Sequence, residues 1–529
     1  MERLKRLFSR KRTQKNGASV PLPPDVAELA ATRQAGYLAH FVETELKNDR
    51  GSPLVVALQA TVETLDWPKV ELAKLTARIK RCQQDHQACY TVASEYLETC
   101  GFDFELFNFA CLALYSASKF EAALSFFKQW QGQLRDEDLT LPLVNAATII
   151  HVAGGDILES KHWLQVGREK YPEDALLCGN TMNIFVELGD RQTVEDIRRT
   201  VLDKHRDCAE AMFSIAFCAL AEDDYLGGFE NYEVRFQMGE VGRYLLSAQM
   251  DRERWNGKTP LHGKRLLIHA EQGLGDTVML SRYLPMLLSQ AKEVILECQP
   301  EAFPLLAHTF PQIKLLPLNP KTPTNAPSDL WISSMSLPHL FRTTADTVPA
   351  KSGYLSVSDE HYAYWREKVA NFAPKSRPKI GIAWSGNPTH RSDRRRSISF
   401  NRLRPYLSPI DADFFALQTT VPEILPANVI NVTEELVTLA DTAALIQQMD
   451  LVITVDTSIV HVAGAIGHPC WLMLPHRYEW RWGLEGESNN WYDSVKVLRQ
   501  QAPGAWEPLL EEIFSKRLPA FLATHEVQQ

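Results

Sequence analysis

The chain has 529 residues, a formal charge of -9, and 45% hydrophobic and 23% charged residues. That length exceeds what one core usually serves, so two to four structural units are expected, while the ordinary composition and mild charge exclude global disorder and whole-surface attraction to nucleic acid. Nine cysteines without a CxxC pair suit free thiols in a reducing compartment and give no disulfide framework or zinc site.

Residues 1–20 are expected to form a basic, flexible tail. The opening "MERLKRLFSRKRTQK" holds seven Lys/Arg in fifteen positions but lacks the apolar centre of a secretory signal. A solvated tail is the plain reading. The alternative is peripheral contact with anionic lipid at the inner membrane, or with an acidic partner. No apolar run approaches the ~20 residues of a spanning helix, so a cytoplasmic location is expected.

From 21 to 254 the chain reads as successive amphipathic helices. Segments beginning at Asn108, Asn145, Asn180 and Phe213 look alike, and the turn pairs Gly155-Asp156, Gly189-Asp190 and Asp223-Asp224 recur every 34 residues, with Ser118-Lys119 lying 37 before the first. That period matches a tetratricopeptide helix-turn-helix unit. Ala110, Ala122, Ala123 and Ala147 stand where paired helices must approach. Such stacks expose a concave face suited to an extended peptide, although a merely supporting role fits the same pattern.

Near Trp255 the grammar changes. Short apolar runs ("RLLIHA", "EVILEC", "IKLLPL", "DLWISS", then "KIGIAWSG", "DFFALQ", "VINV", "LVITVD", "CWLML") alternate with helical stretches, which predicts parallel sheets covered by helices. One Rossmann-like lobe is expected over 255–370 and a second over 371–505, followed by a C-terminal helix or tail over 506–529. The fold class is therefore multidomain: all-α repeats followed by a two-lobed α/β module.

Ligands of open α/β sheets lie where strands turn into helices. "AEQGLGDT" is such a place. Gly273 and Gly275 are expected to let the backbone bend and a substrate approach closely, with Gln272 in the same acceptor loop. Asp276 then stands near a helix start facing the cleft, or serves simply as an N-cap. In "VDTSIVH" the strand ends at Val455, and Asp456, Thr457 and Ser458 open a helix whose free N–H groups and hydroxyls suit a diphosphate. His461 either reaches that anion or packs within the helix. The loop residues Ser385, Gly386 and Asn387, followed by Arg391, Arg394, Arg395 and Arg396, offer further anion contacts; such a charge run is usually a solvated face, so one or two contacts are expected. Gln418 closes "FFALQ" as a nucleotide contact or a polar strand end. The Asp411-Ala-Asp413 triplet reads as a turn, and no metal or cofactor is expected.

"GLGDTVMLSRY", "GIAWSGNPTHRSDRRRSI", "FFALQ", "VDTSIVHVAGAIGHPCWLMLP" and "WRWGLEGESNNWY" together resemble bacterial proteins that fuse tetratricopeptide repeats to a glycosyltransferase family 9-like module, related to the heptosyltransferases. The resemblance covers about 255 to 505. It implies a GT-B architecture, acceptor at the first lobe and sugar nucleotide at the second, with inversion at the anomeric carbon. It further implies Asp276 as base, and Thr457, Ser458 and His461 at the donor diphosphate. Ser458-Ile459 stands where heptosyltransferases commonly carry Gly-Leu, which leaves the donor sugar open. Some repeat-fused GT-B enzymes glycosylate proteins, flagellins included, and this motivates a protein acceptor. A catalytically inactive scaffold and a transferase acting on a lipid-linked glycan are the rival readings.

Overall fold

The structure, a computed structural model, describes residues 21–48, 52–64, 66–117, 119–134, 147–148, 150, 157–238, 252–318, 326–373, 377–388, 393–476 and 479–526. The expected basic tail, the Gly155-Asp156 turn and Arg391 lie outside them. The chain divides into two compact units, residues 1–170 and 171–529.

The first unit is helical. Helices Phe104–Ser116 and Phe120–Trp130 form one of the expected antiparallel pairs, and Asp85 and Asp103 cap the starts of neighbouring helices by accepting the Ala88 and Leu106 N–H groups. These caps satisfy backbone donors that a helix start leaves free. Ala110, Ala123 and Ala147 are buried where helices meet, whereas Ala122 is exposed. Ala122 thus corrects the small-residue expectation: the residue beside it, Ala123, carries the contact face.

The second unit opens with four more helices, α1 (Ala175–Glu187), α2 (Arg191–Lys204), α3 (Ala209–Ala221) and α4 (Tyr225–Tyr232). The 34-residue turns explain their pairing. Gly189 and Asp223 adopt left-handed backbone at φ 73° and 65°, and Asp190 and Asp224 then cap α2 and α4 at 3.1 and 3.0 Å.

Strands β1 (Glu253–Arg254), β2 (Arg265–His269), β3 (Glu293–Cys298), β4 (Lys314–Pro317) and β5 (Leu330–Ser333) form a parallel sheet in the order β1-β5-β2-β3-β4. Helix α5 (Leu274–Leu280) follows β2. A second parallel sheet, ordered β11-β10-β9-β6-β7-β8, comprises β6 (Lys379–Ala383), β7 (Asp413–Ala416), β8 (Val429–Asn431), β9 (Leu451–Val455), β10 (Cys470–Leu474) and β11 (Val495–Arg499). Helix α6 (Ser458–Ala465) leaves β9. Two such sheets behind a helical region are a GT-B architecture. The nine quoted runs are all strands; β1 and β11 are additions. Two-residue β1 is too short to pattern, and "VKVLR" carries Lys496 and Arg499, two charges in five residues that break the apolar run of its buried positions.

Within the second unit, the last helices of the repeats and the α/β part share one core. A continuous apolar cluster runs from Ala216, Leu220, Tyr225 and Phe229 through Leu266 and Ile268 to Trp480, Trp482 and Trp491. Tyr225 stacks on Trp491 with ring centroids 5.4 Å apart, and Phe229 meets Trp480 edge-on at 5.6 Å. Trp480 and Trp491 of "WRWGLEGESNNWY" therefore pack against the last repeat, while Trp482 and Tyr492 lie against His461. The segment from Trp506 also belongs to a core, with Trp506, Leu510 and Phe514 buried against the far face of the second sheet. Among the described residues no helix is long and apolar enough to cross a membrane.

Candidate active site between the facing strand ends

The loop leaving β2 is fixed from the repeat side. Arg235, fully buried, donates from Nε to both carboxylate oxygens of Glu271 at 2.8 and 3.0 Å and from Nη2 to Ser336 at 2.8 Å. Gln272 donates from Nε2 to the Tyr232 hydroxyl at 3.0 Å. A buried guanidinium requires such complete pairing to offset its lost hydration. The loop after β2 is thus held by the residues that end the repeats.

Gly273 is the N-cap of α5, in extended backbone at φ -69°. A Cβ there would meet only Asp276 Oδ2 at an ordinary 3.7 Å. Gly275 is different: an added Cβ would lie 2.5 Å from Cδ2 of His461. For Gly275 the expectation that the glycine admits a substrate is corrected by this packing. Gly275 admits α6 of the other lobe, whose His461 lies against α5, and Gly273 has no steric demand.

Asp276 occupies the first turn of α5. Its Oδ2 accepts the Gly273 N–H at 3.2 Å, and its Oδ1 is ion-paired with Arg481 from the second lobe. It is therefore a third-position cap that also crosses the lobes. Arg481 also pairs with Glu479, and its guanidinium lies 4.2 Å from the Trp480 ring centroid. Burial alone would lower the Arg481 pKa, but Asp276, Glu479 and Asp456 together reverse this and raise it. Burial lifts Glu479 and Asp456 above the ordinary carboxylate range, against the pull of the arginines.

At the end of β9, Thr457 caps α6 by accepting the Ile459 N–H at 3.3 Å, and Ser458 is the first helical residue. Trp482 Nε1 donates to Asp456 Oδ1 at 3.2 Å, while Arg396 Nη1 donates to the Asp456 carbonyl at 2.8 Å. His461 Nδ1 lies 2.9 Å from the Tyr492 hydroxyl, with the imidazole against Trp482 at 5.4 Å. Desolvation first, then Arg481, Arg282 and Arg396, hold the His461 pKa well below its usual value. A neutral, buried imidazole does not act as a cationic phosphate partner, so the packed alternative describes this arrangement.

The 385–387 loop adjoins this cluster. Ser385 donates from both N–H and hydroxyl to Gln418 Oε1 at 2.9 Å each, and Gln418 Nε2 returns a bond to the Ser385 carbonyl at 2.9 Å. Gln418 is thereby a clamp between β6 and β7, the polar-strand-end alternative. A Cβ on Gly386 would lie 2.6 Å from Arg396 Nη2, which places this loop against the arginine. Asn387 is exposed; Arg394 lies on the turn Asp393–Arg396, and its side chain is outside the described residues. Arg395 pairs with Glu187 of α1 at 3.6 Å. Asp411 and Asp413 both pair with Arg377, as a turn carboxylate set would.

Asp276, Arg396, Asp456, Thr457 and His461 are thus brought together, and Arg481, Glu479, Trp482 and Tyr492 complete the cluster. The last four were not among the residues expected from the sequence, although "WRWGLEGESNNWY" belongs to the motifs that carry the resemblance. The available signal was the run Glu479-Trp480-Arg481-Trp482, in which an arginine is set between two tryptophans a few residues after a β-strand. A polar cavity of about 340 Å³, bounded by Arg191, Asp223, Glu485 and Asn490, lies on the other side of Trp482.

Residues 422–471 match the family Glycosyltransferase family 9 (heptosyltransferase). That segment contains Asp456, Thr457, Ser458 and His461 but not Asp276. Protein FlbA of Caulobacter vibrioides is 27% identical over 337 residues, 58% of this chain and 54% of the relative. The chain thus spans about half the length of that curated relative. Among solved structures, a family 9 glycosyl transferase from Veillonella parvula aligns at 14% identity and TM-score 0.36, over 49% of this chain and 98% of that one. An O-GlcNAc transferase from Thermobaculum terrenum aligns at 10% identity and TM-score 0.23, over 74% and 93%.

Proposed function

Because the chain joins helical repeats to a GT-B module carrying a glycosyltransferase family 9 segment, we propose that it is an inverting, metal-independent glycosyltransferase. It moves a sugar from a nucleoside-diphosphate sugar to an acceptor hydroxyl on a protein, of which flagellin is the first candidate, selected by the repeats. The observation that carries this reading is the meeting of Asp276, from the β2 end, with the Thr457 helix start, from the β9 end, around one arginine.

The chemistry is a single displacement. The acceptor oxygen bonds to the anomeric carbon as that carbon's bond to the diphosphate oxygen breaks, and the hydroxyl proton passes to Asp276. Negative charge that builds on the departing diphosphate is met by Arg481 and by the open N–H groups at the start of α6, the kind of preset donors that stabilise a developing anion. Ser385, Gly386, Asn387 and Arg394 border the nucleotide, with Arg396 beside the phosphates; Gln418 shapes the loop. Ser458-Ile459 leaves the sugar open, so ADP-heptose heads a donor panel that also includes UDP- and GDP-sugars.

Purified protein incubated with that panel and candidate acceptor proteins is expected to raise an acceptor's intact mass by one sugar residue. A well-folded protein that transfers nothing would overturn the reading. One observation favours the scaffold alternative: Asp276 is already ion-paired, and in a module that only binds nucleotide no sugar would be transferred by either wild type or Asp276→Asn. Transfer to a lipid-linked glycan instead requires membrane association that is lost on deleting residues 1–16.

A further inference from the structure

The Asp276–Arg481 pair raises a chemical question. A carboxylate whose Oδ2 accepts a backbone N–H and whose Oδ1 is bound to a guanidinium has both oxygens engaged, so neither is open to an acceptor hydroxyl. The proposed base is therefore held off in this arrangement. Asp276 is anchored by the α5 first turn, whereas Arg481 reaches it from the segment that follows β10 in the other lobe. Its side chain is long, its planar head lies over the Trp480 ring, and its buried Nε has no hydrogen-bond partner among the described residues.

Arg481 also faces the right neighbours. Asp456 and Glu479 surround it along with Asp276. Arg396, the other arginine of the cluster, is already engaged by the Asp456 carbonyl and Asp393. Arg481 is thus the cation whose principal partner belongs to the opposite lobe.

Resting on the glycosyltransferase reading above, we propose that Arg481 is an exchangeable counter-ion: the donor's diphosphate draws it from Asp276, and the carboxylate is released to the acceptor hydroxyl only once the donor is bound. A diphosphate offers more charge and more acceptor oxygens than one carboxylate, and guanidinium binds it with two parallel N–H bonds. Donor binding and base activation become one event. When the nucleoside diphosphate leaves, Arg481 returns to Asp276 and the site is quiet again. No proton or electron moves in the exchange; one ion pair replaces another.

The idea is tested by a double-mutant cycle on binding, without turnover. ADP, UDP, GDP and inorganic pyrophosphate are titrated into the full-length wild type, Asp276→Asn, Arg481→Gln and the double variant. Calorimetry is combined with fluorescence of the tryptophans flanking Arg481, and circular dichroism confirms folding. Asp276→Asn removes the competitor and is expected to bind diphosphate about 10-fold tighter, while Arg481→Gln binds at least ~10-fold weaker. In the Arg481→Gln background the Asp276→Asn gain disappears. Equal gains in both backgrounds would make Asp276 a simple field effect, and no gain in either would leave no competition; both results overturn the exchange alone. Absence of binding of all four probes to wild type and Asp276→Asn overturns the donor site and the exchange together. Arg481→Lys keeps the charge without the planar fork and recovers only part of the affinity.

Discussion

At the scale of single residues, Arg481 pairs with two carboxylates, Asp276 and Glu479, across two lobes with Asp456 nearby, and each member has a separable role. Asp276→Asn keeps the oxygen that caps α5 but cannot take a proton, so kcat is expected to fall ~10²- to 10⁴-fold with the thermal midpoint little changed. Gly275→Ala drives a methyl into His461, which Tyr492 and Trp482 hold in place. A loss of about 1–3 kcal/mol is expected from calorimetric melting, less a partial gain in helix propensity. His461→Ala made together with it should recover part of that loss. Glu479 is pushed up to about 7, chiefly by burial, from an ordinary 4.5. The folded state therefore holds a proton that the unfolded chain releases, and stability present below pH ~4.5 is lost as pH rises toward 7. His461 and His468, lowered by burial, act with opposite sign, because acid charges them only in the unfolded chain. The informative quantity is the difference between proteins: from pH 5 to 8 the melting temperature of Glu479→Gln should change less favourably toward acid than that of wild type.

At the scale of elements, the segment that ends the repeats is also a wall of the loop after β2. Arg235 joins Glu271, Glu233 and Ser336 in a network that water hardly reaches, with the Glu271 side chain 4% exposed. Arg235→Ala leaves Glu271 buried without a counter-ion and is expected to cost about 3–5 kcal/mol in urea unfolding. Arg235→Met combined with Glu271→Leu should cost less than the single change, because no uncompensated charge remains. A similar economy explains Gln418. Its amide joins the ends of β6 and β7 to the Ser385 loop, so a residue type that suggests nucleotide contact serves to shape the loop instead.

At the scale of the whole molecule, the compact units divide at 170/171 and not at the change of sequence grammar near 255. Helices α1 to α4 bury Tyr225 and Phe229 against Trp480 and Trp491, which are 2% and 0% exposed. A fragment of residues 171–529 is expected to be soluble and to unfold cooperatively. A fragment of 255–529 would expose those tryptophans as an apolar patch, and dye binding together with aggregation is the expected result. Equal behaviour of the two fragments would contradict the shared core.

Local chemistry made much of this protein legible in advance. The 34-residue turn spacing, the capping aspartates and the apolar runs are set by neighbours along the chain, because caps, left-handed turns and buried strands each demand particular residue types within a few positions. Asp276 and the Asp456-Thr457-Ser458 turn could be marked as candidate chemistry for the same reason. Tertiary structure alone decided that Arg481 lies on Asp276, 205 residues away, that His461 is neutral packing, and that Gln418 is a clamp. Those outcomes depend on which side chains meet when two lobes and the last repeats share one dry core, where charge and shape are satisfied by partners that the local sequence does not contain.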